Sequence, residues 1–163
     1  MDCATYLTRQ GAAGAQTHNE LRPTHAGAAP RPRGSVIYLD SSVALAQLLT
    51  EDRTPPDGLW RQPLIASRLL EYEVWCRLNA RKLDRTHGDQ ARALLARVAM
   101  IELASPVLAR ALEPFPTPLR TLDALHLSSI EFLRSRRQAV DLATYDERLA
   151  AGARALRIPL FPV

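Results

Sequence analysis

The sequence lacks the features that would assign it to several large classes of protein. None of its apolar runs approaches the roughly 20 residues that a membrane-spanning helix needs. Its N-terminal residues have no apolar centre like that of a signal peptide, so we expect a cytoplasmic protein. It has only two cysteines, Cys3 and Cys76, and neither belongs to a CxxC or Cys/His pattern. This spacing argues against a disulfide framework or a thiolate metal site.

The sequence also lacks a strong excess of charge. The 163 residues carry a net charge of +4, of which residues 1–34 contribute +2. This mild excess permits an anionic partner but does not require one. Residues 1–34 are rich in Gly, Ala, Pro, Thr and Arg, and such a composition buries too little apolar surface to offset the entropy of ordering. We therefore predict a flexible N-terminal extension over 1–34, followed by one domain over 35–163.

From residue 35 onward, short apolar runs alternate with helical patterns. This alternation predicts an α/β fold with three layers, α/β/α, around a central and mostly parallel sheet, because parallel neighbours need crossover connections. The patterns predict strands over 36–39, 63–66, 100–104 and 139–145, a terminal edge strand over 158–163, and helices over 41–49, 67–82, 87–99, 105–112, 121–136 and 146–156, with Ser67 as a helix cap.

Two carboxylates follow predicted strands directly. Asp40 ends the first strand and Asp146 comes just after the fourth, so the fold prediction places both on the edge of the sheet where α/β proteins bind ligands. Each also has a structural interpretation. Asp40 could cap the next helix, although Ser41 could do so equally well. Thr144 and Glu147 fit a capping box, which would make Asp146 a first-turn acid.

The helical segment 67–82 contains two more acids. A helical projection places Glu71 and Glu73 at the border of the apolar face, and it does not choose between them. Glu73 could instead form an i,i+4 pair with Arg77. This segment therefore supplies a candidate site residue without deciding which one it is.

Asp123 is the most informative acid. It shares a helical face with Leu127 and Ile130, and a lone carboxylate on an apolar face is costly unless it is paired, hydrogen-bonded or bound to a metal. Its place near the helix N-terminus also allows a structural role. We expect His126, one turn later, to be a core histidine rather than a ligand. Asp141 alternates with apolar neighbours in its strand, and we expect it to face solvent.

Taken together, these acids predict a cation site. Carboxylates that converge on one cleft repel one another unless a cation is present. Oxygen ligands without histidine or thiolate suit Mg²⁺ or Mn²⁺. No Ser/His/Asp or Cys/His set is placed for covalent catalysis. A phosphatase that uses a nucleophilic aspartate would typically have a second acid two residues after Asp40, where this chain has Ser42.

Four segments resemble a known family. YLDSSVALAQLL, SRLLEYEVWCRLNAR, LRTLDALHLSSIEFL and LATYDERLAAGARALRIPLFPV, in this order, are similar to a PIN domain of the VapC toxin type. The resemblance covers about residues 36–162, and the extension over 1–34 departs from it. It implies a small α/β/α domain with an acidic, metal-dependent ribonuclease site.

The resemblance also assigns roles to residues. It prefers Glu73 to Glu71, and Asp123 matches the aspartate of the LDALHL motif. By position, the catalytic set is Asp40, Glu73, Asp123 and Asp146, the metal ligands are Asp40, Asp123 and Asp146, and Thr144 and Ser41 support them.

The predicted function follows from this assignment. We expect an Mg²⁺- or Mn²⁺-dependent endoribonuclease that is the toxin of a type II toxin–antitoxin pair, with Arg77, Arg81 and Arg134 as candidate RNA contacts. The implied partners are RNA, a cognate antitoxin and a second copy in a homodimer. The alternative is a degenerate, non-catalytic PIN-like module that binds RNA or a protein partner.

Overall fold

The computed structural model describes residues 34–49 and 53–163. The predicted extension over 1–34 lies outside the described residues, apart from Gly34. No helix in the described ranges combines the length and apolarity that crossing a membrane requires. The strands are β1 (Val36–Leu39), β2 (Leu64–Ser67), β3 (Val98–Ile101) and β4 (Val140–Ala143), and the helices are α1 (Ser41–Leu49), α2 (Leu69–Ala80), α3 (Asp84–Leu95), α4 (Ser105–Ala111), α5 (Thr121–Ser135) and α6 (Glu147–Ala155).

The four strands form one parallel sheet in the order β3-β2-β1-β4. Helices cover both faces, because successive side chains of β1 enter two different hydrophobic clusters. Ile37 and Leu39 pack with residues of α1, α2 and α3, whereas Tyr38 packs with residues of α5 and α6. This arrangement confirms the predicted three-layer α/β/α fold with a parallel sheet.

Three local predictions are wrong. Strand β3 ends at Ile101 and begins two residues before the predicted strand, and α3 ends at Leu95 rather than at 99. Ser67 does not cap α2, because it is the last residue of β2 and its hydroxyl accepts a hydrogen bond from Tyr38. Of the predicted terminal strand, the bridge between Leu160 and Leu142 is formed. Prolines 159 and 162 have no N–H group for a longer ladder.

Asp141 is also placed differently from the prediction. It lies on β4 with only 7% of its surface exposed, so it does not face solvent. The alternation rule applies to sheets with one wet face, whereas helices cover both faces of this sheet. The bridge to Leu160 also covers the outer edge of β4. Burial at this position therefore comes from the layers around the strand.

Candidate active site

A cavity of about 490 Å³ opens at the carboxyl edge of the sheet. All four acids that the resemblance selected line it, although they come from four separate parts of the chain. Asp40 follows β1, Glu73 lies on α2, Asp123 is in the first turn of α5, and Asp146 precedes α6. The topology of a parallel sheet brings these segments together because strand ends and helix starts meet at one edge.

Hydrogen bonds from neighbouring residues reach only one of the two carboxylate oxygens of Asp40. Its Oδ2 atom accepts hydrogen bonds from the Ser42 hydroxyl at 2.5 Å, the Thr144 hydroxyl at 2.8 Å and the Ser42 backbone N–H at 3.3 Å. The last contact is a capping interaction with α1, so the two interpretations of Asp40 are compatible. Asp40 is 4% exposed, and its Oδ1 atom lies 3.8 Å from Nε2 of His126.

The serine that donates a hydrogen bond to Asp40 is Ser42 and not Ser41, to which the family resemblance assigned the supporting role. Ser41 lines the cavity, but the hydroxyl that donates to Asp40 belongs to its neighbour. Ser42 Oγ also accepts the N–H of Tyr145 at 2.9 Å, which ties the start of α1 to the loop after β4. Thr144 donates to Asp40 from that same loop. These contacts join two segments about a hundred residues apart, so sequence spacing gave no signal for them.

Glu73, and not Glu71, is the acid of α2 that faces the cavity. Glu71 forms a partly exposed ion pair with Arg68 at 2.9 Å. Glu73 is more buried, with 16% of its side chain exposed, and its Oε2 atom lies 2.9 Å from Nε2 of His126. The alternative interpretation of Glu73, an i,i+4 pair with Arg77, therefore gives way to a contact with α5. This result agrees with the choice that the resemblance made.

His126 is buried, with 2% of its surface exposed, and both ring nitrogens have partners. Nδ1 lies 3.0 Å from the Tyr38 hydroxyl, and Nε2 lies 2.9 Å from Glu73. Burial alone would lower the pKa of this imidazole. Attraction from Tyr38, the hydrogen bond to Glu73 and the nearby charge of Asp40 outweigh burial and raise the pKa to about 10. The contacts with Glu73 and Asp40 therefore favour the protonated imidazole.

The other two acids are tied to helix N-termini. Asp123 is 9% exposed, and its Oδ2 atom accepts the backbone N–H of Arg120 at 3.1 Å. Asp146 is exposed and is itself the N-cap of α6, with Oδ1 accepting the N–H groups of Arg148 and Leu149. The predicted capping box is therefore wrong. Thr144 is not the cap, because its hydroxyl donates to Asp40 and accepts the N–H of Asp146.

A common pattern unites the four acids. Each has one carboxylate oxygen bound by protein donors, and in the described part of the chain the other oxygen has no hydrogen-bond donor. Carboxylate oxygens are the ligands that a hard divalent cation such as Mg²⁺ or Mn²⁺ prefers, and all four acids line the same cavity. In the described part of the chain, the group of potential ligand atoms that lie within 4.8 Å of one another comprises Asp40, Glu73 and His126, and it includes neither Asp123 nor Asp146. Within that group, His126 faces Glu73 with the nitrogen that a metal would need.

Two arginines, Arg77 and Arg120, line the cavity. Arg77 also lines an adjoining pocket of about 670 Å³ together with Arg53 and Arg81. Arg134 lies elsewhere, since its guanidinium donates to the carbonyls of Leu156 and Arg157 at the end of α6. It is eleven residues after Asp123 on α5, or roughly 16 Å along the helix. The structure therefore removes Arg134 from the cavity rim.

The chain is therefore an α/β/α domain that carries a cluster of four carboxylates at the carboxyl edge of its parallel sheet. Consistent with this class, the model of the PIN domain family matches residues 37–155, and the chain belongs to that family.

The proteins similar to this chain include two curated relatives and a solved structure. Ribonuclease VapC47 of Mycobacterium tuberculosis (strain CDC 1551 / Oshkosh) is 30% identical over 126 residues, covering 73% of this chain and 90% of the relative. Ribonuclease VapC46 of M. tuberculosis (strain ATCC 25618 / H37Rv) is 34% identical over 134 residues, covering 75% and 93%. A toxin–antitoxin complex from Klebsiella pneumoniae matches with a TM-score of 0.54 at 18% identity, covering 73% of this chain and 93% of that one. This last similarity concerns the fold alone.

Proposed function

We propose that this protein is a Mg²⁺- or Mn²⁺-dependent endoribonuclease and the toxin of a type II toxin–antitoxin pair. The observation that carries the proposal is the cavity itself. Four acids from four segments converge there, and each keeps one carboxylate oxygen without a donor in the described residues. The relatives named as ribonucleases support the choice of RNA as substrate.

In this proposal Asp40, Asp123 and Asp146 hold the cation, and Glu73 orients the attacking water. A bound divalent ion supplies Lewis acidity and lowers the pKa of water. The hydrogen bonds from Ser42 and Thr144 fix Asp40 before any ion binds, so little reorganisation is needed. Glu73 is anchored through one oxygen by His126.

The RNA backbone would run past the arginines of the cavity. Arg77 borders both the acid cavity and the adjoining pocket, where Arg81 also lies. A phosphodiester that reaches the acids would therefore pass these guanidinium groups, whose phosphate contacts would supply affinity without sequence selection. Arg134 has no part in this path.

The partners remain those that the family resemblance implies. They are a cognate antitoxin that occupies the cleft and a second copy of the chain in a homodimer. We also propose that the protein acts in the cytoplasm, where its RNA substrate would be found. Size-exclusion chromatography with light scattering tests the dimer, and co-purification with the product of an adjacent small reading frame tests the antitoxin.

A chelator-controlled cleavage assay tests the function. The full chain is incubated with total cellular RNA in Mg²⁺, in Mn²⁺ and in EDTA, alongside Asp40→Asn, Asp123→Asn and the control Asp89→Asn. Asp89 is an acid on α3 whose side chain is 99% exposed. We expect cleavage only with metal, retained in the control and lowered more than about 100-fold in both site variants.

Two outcomes would contradict the proposal. Full activity in EDTA would exclude the metal-dependent mechanism. RNA binding without cleavage by the wild-type protein in either metal would favour the alternative, a non-catalytic module.

A further inference from the structure

Glu73 is the end of a chain of buried hydrogen bonds that crosses the sheet edge. The Ser67 backbone N–H donates to the Tyr38 hydroxyl at 3.2 Å, and that hydroxyl lies 3.0 Å from Ser67 Oγ. The same hydroxyl lies 3.0 Å from Nδ1 of His126, whose Nε2 lies 2.9 Å from Glu73. Ser67, Tyr38 and His126 are each at most 2% exposed. The chain therefore joins β2, β1, α5 and α2.

The donors and acceptors in this chain determine where the ring proton lies. A carboxylate oxygen only accepts, so the Nε2 that lies 2.9 Å from Glu73 must carry a hydrogen. An Nε2–H group has no lone pair to offer a metal ion. The proximity of His126 to Asp40 and Glu73 is therefore not metal ligation.

We propose that His126 is a positioning residue that acts through Glu73, and that Tyr38 and Ser67 hold it in place. This inference rests on the proposed ribonuclease function, because Glu73 is the group that orients water there. A glutamate side chain normally loses considerable rotamer freedom when it is ordered. Here the hydrogen bond to Oε2 orders the carboxylate in advance and leaves Oε1 as the oxygen for water or metal.

A double-mutant cycle tests whether His126 acts through Glu73. His126→Leu removes the donor, whereas His126→Gln places an amide N–H near the position of Nε2. We expect kcat to fall about 10- to 100-fold in His126→Leu, to recover largely in His126→Gln, and KM to change less than about threefold. In a Glu73→Gln background, His126→Leu should cause no further loss. His87→Gln, a change on α3 outside the cavity, is the matched control.

A further loss of kcat in the Glu73→Gln background would overturn the proposal, because His126 would then act independently of Glu73. Equal kcat in wild type and His126→Leu would overturn it as well. Tyr38→Phe provides a second test in case His126→Leu does not fold, because it deletes only the hydroxyl that contacts Nδ1 of His126. It should lower kcat in the same direction but by less, with circular dichroism confirming the fold.

Two measurements on the metal-free protein do not depend on activity. Calorimetric Mn²⁺ titration of His126→Gln should give an affinity within about threefold of wild type, whereas a loss of tenfold or more would identify His126 as a ligand. In ¹⁵N-edited NMR, Nε2 of His126 should bear a slowly exchanging, downfield proton that shifts in Glu73→Gln. An unprotonated Nε2 would overturn the proposal. If wild type cleaves no RNA, the proposed function fails while these two readouts still decide the hydrogen-bond chain.

Discussion

Replacing Asp123 by asparagine removes one charge from the cavity with little disturbance of the fold. Its Oδ2 atom accepts one hydrogen bond, from the N–H of Arg120 at 3.1 Å, and an asparagine oxygen can accept the same bond. The lost attraction to the N-terminal dipole of α5 costs about 0.3–1 kcal/mol. Relief of repulsion among the acids acts in the opposite direction. In EDTA, the free energy of unfolding should therefore stay within about 1 kcal/mol of the wild-type value.

In Mn²⁺ the Tm of the wild-type protein should rise more than the Tm of Asp123→Asn. An ion present at a hundred times its Kd stabilises the native state by about 2.7 kcal/mol, which for a domain of this size raises Tm by roughly 5–10 °C. If Asp123 supplies a ligand, its loss weakens the ion's binding by about tenfold or more, and about half of the Tm shift disappears.

Differential scanning calorimetry provides the assay. Each protein is scanned in EDTA and again at increasing MnCl₂, and the dependence of Tm on concentration gives the relative affinity. Asp89→Asn is the control, because that acid is exposed and is not among the residues that line the cavity. A Tm shift in Asp123→Asn as large as that of wild type would refute the reasoning, since the carboxylate would then contribute nothing to cation binding.

Three further results are expected. The pKa of His126 is raised from 6.5 to about 10, so its contribution to stability is complete below pH 6.5 and is lost as pH rises through about 10. In EDTA, the unfolding free energy of wild type relative to His126→Gln should therefore fall by up to about 1.4 kcal/mol per pH unit in that range, measured by urea titration, and parallel profiles would contradict this. Leu127→Ala, at a fully buried site, should cost about 2–5 kcal/mol in the same titration, whereas Leu112→Ala, at a side chain 89% exposed, should stay within about 0.5 kcal/mol. Arg77→Ala should raise KM for RNA and reduce the slope of log K against log salt concentration by about one unit. Arg134→Ala should change neither quantity and should lower Tm instead. The reverse pattern would place the RNA on the other side of the domain.

Local sequence patterns predicted the architecture well for a physical reason. The run VIYL and the helix pattern of α1 were expected over the residues where they occur, because apolar periodicity and turn residues act within a few positions of the chain. The prediction failed where a contact between distant residues overrode a local preference. Ser67 suited a helix cap, but the Tyr38 hydroxyl on the neighbouring strand binds it.

For the acids too, part of the site was predictable from the sequence and part depended on tertiary contacts. That a carboxylate ends β1 and another starts α6 is readable from the sequence, and so is the strand-end rule that places both at one edge. The helical projection could not distinguish Glu71 from Glu73 as the site residue, because both lie at the border of the apolar face of the helix. The contact with His126, fifty-three residues away, distinguishes them.

The sequence by itself determined the alternation of strands and helices, the three-layer parallel fold and the position of Asp40 and Asp146 just after two of its strands. Only the tertiary structure decided that Ser42 supports Asp40, that Arg134 caps α6 and that a buried tyrosine–histidine pair holds Glu73. The reason is the range of the forces involved. Periodicity and propensity act between near neighbours in the chain, whereas a hydrogen bond requires two atoms about 3 Å apart, wherever folding has brought them from.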